Sequence, residues 1–462
     1  MSFTRRQVGC LLWLALVAGA AAQNQAGAPA APEPPAANAA PDQAGGNMAP
    51  DTRPLTGAQA LTLGTQDLPS FLVPKLHFAQ TVDSNPDVFV PNSDVGTVSS
   101  ITGELELQRV SRNRLFTMRY QGGGMFYENG SSLGGLQRNS TFQRLGLTQH
   151  FDFGRWSLLF SDETGYTSSS AFGGGANAGA AVIGPAALAG GINLAGLNPN
   201  LVPAQNLLTQ IGSQVSNSAV VETDYRLNAR STVTVTGNYG ILRSPDGNLV
   251  DSNQEGVNLG YSRNLTARDT VGITYGFTQF GYVGMDNRTR SHTAQLLYGH
   301  RITGRLSLQV GAGGGITQVH TAVQSQNLTL WNAQANLHYL VHRTDFTASY
   351  ARSVNSGSGV MLGANSDVVS GGFSRPFLRR WLTSTTVGYS RNSALIAGDT
   401  YSTFYANSGV QRRLGLYNGV FASYSFQRQT GLGVFCTGCG DQSNRHIFTV
   451  GFDLGFRPIR ME

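Results

Sequence analysis

The strongest constraint in this chain is a two-residue alternation that recurs from end to end. Val271, Ile273, Tyr275 and Phe277 interleave with Gly272, Thr274, Gly276 and Thr278. Val233, Val235, Tyr239 and Ile241 do the same against Thr232, Thr234, Thr236 and Asn238, and Phe448, Val450, Phe452, Leu454 and Phe456 against Thr449, Gly451, Asp453, Gly455 and Arg457. A period of two is that of a β-strand whose faces meet different surroundings, since successive side chains point to opposite sides. One face of each strand is apolar and the other is small or polar.

Alternation alone also fits a soluble sandwich, whose inner face is apolar. Connection lengths separate the two. Short turns are expected at 111–113, around Gly154, and at 228–230, 264–267, 303–304, 342–343, 375–379 and 413–415. Longer loops rich in Asp, Asn, Ser and Gly are expected at 83–96, 129–140, 167–218, 243–252, 283–288, 318–326, 355–363, 393–400 and 430–443. Turns and loops alternate strictly, as they do when one rim of a barrel makes tight turns and the other long loops. Seventeen connections give about 18 strands (16–20), the first over 76–81 and the last ending at Phe456. An even number returns both chain ends to the turn side.

The N-terminus supplies an address. Arg5 and Arg6, an apolar run from Val8 to Ala18, and Ala20 to Ala22 fit a secretory signal over 1–22, with Sec-type export and cleavage near Ala22. Cys10 lies ahead of most of that run, so a lipoprotein anchor is not expected. Residues 23–68 are mostly Ala, Pro, Gly, Asn and Gln, a composition that reads as a disordered periplasmic linker, and 69–462 form the barrel. Past the signal no apolar stretch of about 18 residues occurs, so strands must do any spanning.

With these features the chain resembles the porin-like family of outer-membrane β-barrels, over roughly residues 76–457. The resemblance is one of architecture, and it implies an all-β antiparallel transmembrane barrel with short periplasmic turns and long outer loops. It implies outer-membrane lipid, lipopolysaccharide and the barrel assembly machinery as partners, in the cell outer membrane. Family members often end on an aromatic residue; here six residues follow Phe456. The expected function is a passive channel for small hydrophilic solutes. A non-conducting surface barrel that displays loops, or a polymer export barrel, is the alternative. The polar strand faces would line the lumen through Thr234, Asn238, Asn258, Thr274, Thr278 and Gln309.

The net charge is +6, and Lys75 is the lone lysine. Arginine gathers at the short turns, among them Arg114, Arg301, Arg379 and Arg412, where a long stem on an apolar belt can carry its charge to lipid head groups. An anion-attracting mouth is the sharper reading of the same residues. Charge spread at intervals does not fit a nucleic-acid binder. Acidic side chains such as Asp83, Asp251 and Asp399 fall in the outer loops.

The loop 167–218 holds no Asp, Glu, Lys, Arg or His. Pro203 can open a short helix with Leu207, Leu208, Ile211 and Val215 on one face. This third loop is expected to fold inward and narrow the lumen, as in the porins the chain resembles; a surface insertion is the plainer alternative. Cys436 and Cys439 are a candidate disulfide, because a zinc site needs a second ligand pair and haem attachment needs His at Gly440. Histidines are scattered, and HExxH, GxSxG and Walker patterns do not occur, so no enzyme, metal or cofactor is expected.

Overall fold

The computed structural model describes residues 55–56, 70–84, 95–127, 139–167, 214–245, 250–357, 361–396, 398–432 and 442–461. The expected signal segment, nearly all of the expected linker, the Cys pair and Leu207, Leu208 and Ile211 lie outside these.

Eighteen long strands follow one another: β1 (Phe71–Asp83), β2 (Gly96–Ser111), β3 (Arg114–Tyr127), β4 (Asn139–Phe153), β5 (Trp156–Thr167), β6 (Gln214–Asn228), β7 (Ser231–Arg243), β8 (Ser252–Asn264) and β9 (Asp269–Tyr282). The second half comprises β10 (Arg288–Arg301), β11 (Leu306–His320), β12 (Ser325–Val341), β13 (Thr344–Asn355), β14 (Ala364–Phe377), β15 (Trp381–Ala394), β16 (Thr400–Arg413), β17 (Asn418–Leu432) and β18 (Gln442–Gly455). Each pairs antiparallel with the next, and β18 returns to β1 from Lys75↔Gly455 to Asp83↔Ile447. The sheet is therefore a closed transmembrane-type barrel with no free edge, the one way strands satisfy their backbone groups in lipid.

Three details differ from expectation. β1 extends beyond 76–81 at both ends, because its pairing with β2 runs unbroken from Phe71↔Gln108 to Asp83↔Gly96. The last strand stops at Gly455, and a two-residue β19 (Ile459–Arg460) pairs with Phe71 and Leu72. Residues 457–461 thus prolong the closure, with Phe456 N donating to Pro74 O at 3.2 Å and Met461 N to Ser70 O at 3.2 Å. Val215 is a strand residue, opposite Tyr166 and Arg243, since cross-strand hydrogen bonds claim the chain from Gln214 onward. It does not belong to a helix.

The outer surface is apolar: Val257, Leu259, Ile273, Tyr275 and Leu296 are all exposed, an arrangement suited to lipid. Aromatic residues mark its two margins. At the turn rim Trp156 and Tyr225 stand 4.5 Å apart, Arg114 lies 5.6 Å over Phe151 and Arg412 lies 5.2 Å over Trp381. Such cation-π contacts hold a charged head beside a ring at the interface. Nearer the loop rim one arrangement occurs twice. Tyr275 Oη is 2.8 Å from His292 Nδ1 with Phe277 against the imidazole, and Tyr424 Oη is 2.8 Å from His446 Nδ1 with Phe426 against it.

Candidate functional site

The lumen has three kinds of wall. Over β7 to β11 the inward strand positions carry neutral polar groups, of which Thr234, Asn238 and Thr278 are buried and Asn258, Thr274 and Gln309 half-buried. Thr234, Asn238, Asn258, Thr274, Thr278 and Gln309 all occupy the strand positions opposite in phase to exposed Val235, Tyr239, Val257, Leu259, Ile273, Tyr275 and Val310. Strand pairing places Thr278 beside Ser291, Asn258 beside Thr236, and Gln309 beside Asn336. Glycines leave room for the amides: a Cβ at Gly256 or Gly276 would strike the side chain of Asn238 or Asn258.

The wall across the β18–β1 seam and on to β5 is charged, with opposite signs adjacent. His77 Nδ1 is 2.7 Å from Asp453 Oδ1, and His77 Nε2 is 3.3 Å from Glu104 Oε2. Lys75 Nζ reaches Glu104 and Glu106, each at 3.2 Å, Arg119 Nε reaches Glu104 at 3.2 Å, and Arg144 pairs with Glu163. Asp83, expected among solvated loop acids, is a buried strand-end residue held by Arg445 at 2.5 Å across the seam. Asp83 is buried because β1 runs to it and the odd positions of β1 face inward. His77 and Asp453 lie 376 residues apart, so local spacing carries no signal of their meeting.

At the loop end of β9 the inner face turns apolar. Phe280 and Tyr282 share the phase of Thr278, yet they are buried in a cluster with Val354, and Val250, Leu330, Leu362 and Leu395 pack on it. The chain between β13 and β14 completes it: Tyr282 Oη donates to Ser356 O at 3.2 Å, Leu395 N donates to Gly363 O at 3.1 Å, and Met361 is buried with Ala364 and Tyr401. This connection is tethered to β9 and to the β15–β16 connection. The narrowing expected from the sequence falls at 167–218, whose residues 168–213 lie outside the described ones, and not at this connection. The signal available was the apolar pair Phe280 and Tyr282, which breaks the polar phase of its own strand.

Among the described residues no group of three or more His, Cys, Asp or Glu is placed to hold a metal ion. No family model and no curated protein matches the sequence. Solved structures similar to the chain include the outer membrane protein OpdK from Pseudomonas aeruginosa, at 11% identity over 84% of this chain and 99% of that one, with a TM-score of 0.43. The FrpB iron transporter from Neisseria meningitidis is similar at 10% identity over 81% of this chain and 64% of that one, TM-score 0.39. The ferric-catecholate import receptor Fiu from E. coli is similar at 10% identity over 85% and 82%, TM-score 0.39.

Proposed function

We propose that this protein is an outer-membrane barrel acting as a passive channel for small hydrophilic solutes, without enzymatic activity. One observation carries the reading: a closed wall apolar outside and polar inside, as at Ile273 beside Thr274. Eighteen strands spaced ~4.8 Å apart and tilted ~40° give a backbone radius of roughly 18 Å, too wide for wall side chains alone to fill. The inner-face groups of β7 to β11 that stay partly accessible, Asn258, Thr274 and Gln309, can exchange hydrogen bonds with a passing solute. Outer-membrane lipid and lipopolysaccharide cover the outside in this reading, and the barrel assembly machinery inserts it. Liposomes carrying the protein should swell in sugars of small size and stop swelling above a cutoff.

The apolar cluster around Phe280 favours a second reading, a barrel closed at its loop end that only displays loops. Swelling no greater than in protein-free liposomes would establish that reading and defeat the first.

A further inference from the structure

Two residues from before the barrel, Leu55 and Thr56, lie inside it. Thr56 Oγ1 donates to Thr234 Oγ1 at 3.0 Å, and Thr234 Oγ1 donates in turn to Asp224 Oδ1 at 2.6 Å. Three inward-facing glycines form the floor beneath them. A Cβ at Gly260 would come 2.5 Å from Thr56 Cβ, one at Gly272 3.2 Å from Thr56 Cγ2, and one at Gly299 3.1 Å from Leu55 Cδ1. Leu55 also shares a small gap with Leu297, Gln309 and Gln334, and Leu297 is an apolar side chain on an otherwise polar face. A hydroxyl acceptor anchored to a carboxylate, a glycine floor and an isolated leucine fit a threonine and a leucine side by side.

The position of this seat gives it consequence. It spans β7 to β12 near the turn rim, whereas β1 begins at Phe71 on the far side of an 18-strand ring. Fourteen steps from Thr56 to Ser70 reach about 46 Å at ~3.3 Å each, more than the ~36 Å across such a barrel. The two walls are therefore within reach of one another along the chain.

We infer that the wall of Thr234, Gly260, Gly272, Gly299 and Leu297 is a docking site for the chain's own N-terminal segment at Leu55–Thr56, which obstructs the turn-side mouth of the lumen. Part of the test is independent of the channel reading. With Cys10, Cys436 and Cys439 replaced by Ser, the double variant Thr56→Cys/Thr234→Cys in lipid vesicles should form a disulfide under mild oxidant. Thr56→Cys/Gln108→Cys, with its second thiol at a similar height five strands away on β2, should not. Adding Leu55→Asp should lower the crosslink yield. Equal crosslinking to both walls, or none in the Thr56→Cys/Thr234→Cys variant, would overturn the docking.

The obstruction is read in planar bilayers and rests on the channel reading. One extended chain, ~4.8 by ~10 Å in section, fills about a tenth of a lumen ~26 Å wide. Removing residues 42–56, or introducing Leu55→Asp, should thus raise unitary conductance ~1.1-fold or more, and unchanged conductance would overturn the obstruction. Absence of current in every variant would defeat the channel reading, and the crosslink alone would still decide the docking.

Discussion

Leu296 and Gln295 are adjacent in β10 but face different solvents, so one substitution placed at each in turn measures which side is lipid. Leu296 is 68% exposed on the outer face, whereas Gln295 lies on the inner face between Thr274 and Gly313. Leu296 is five residues from Arg301, where β10 meets the turn rim. At ~3.3 Å per residue and ~40° tilt it stands about 13 Å above that rim, close to the middle of a ~25 Å apolar band. Arginine there costs about 2–4 kcal/mol, or roughly 30- to 800-fold in the folding equilibrium. Gln295→Arg keeps its charge in the polar lumen and should cost less than about 1 kcal/mol. Urea unfolding in lipid vesicles, followed by tryptophan fluorescence, gives both numbers. If Gln295→Arg destabilises as much as Leu296→Arg, the assignment of faces is wrong.

Three further outcomes follow from the lumen. Phe280→Ala or Met361→Asp should loosen the apolar cluster and raise unitary conductance; identical current would show that the cluster is not the narrowest point. Asp453→Ala removes the partner of His77 across the seam and should destabilise by about 1–3 kcal/mol, read as a lower temperature at which the unboiled protein loses its compact gel mobility; an unchanged temperature would refute a stabilising role for the pair. Excising 173–213, which leaves Gln214 to start β6, should raise conductance if the long neutral loop narrows the lumen, and unaltered conductance would assign the narrowing to other segments.

Strand positions were legible because two solvents enforce them. At Val271 through Thr278 every residue must suit lipid or water, so the alternation is written locally, and turn residues such as Gly154 (φ 68°) punctuate it. What the sequence hid is what depends on distant partners. Phe280 and Tyr282 read as extra greasy residues until Leu362 and Leu395 arrive from other connections. Ile459 and Arg460 have too little pattern to announce a strand, and β1 supplies their partner. Leu55 and Thr56 sit in a stretch whose composition suggests no packing, yet a seat spread over β7 to β12 holds them. Pairs such as Lys75 with Glu106 became visible only with the register of β1 on β2.

The seam between β1 and β18 also governs the order of events in making this protein. The other long-strand pairings join strands consecutive in the chain, but the seam, with β19 beside it, joins residues such as Thr81 and Thr449, 368 positions apart. A growing meander would carry two unsatisfied edges until its last strand exists, and the entropy of closing so long a loop falls on one late step. A chain shortened within β18 should therefore accumulate as open sheets prone to edge-to-edge association. Cross-seam contacts, His77 with Asp453 and Asp83 with Arg445, then belong to the slowest stage of folding and should chiefly set how long the finished barrel resists reopening.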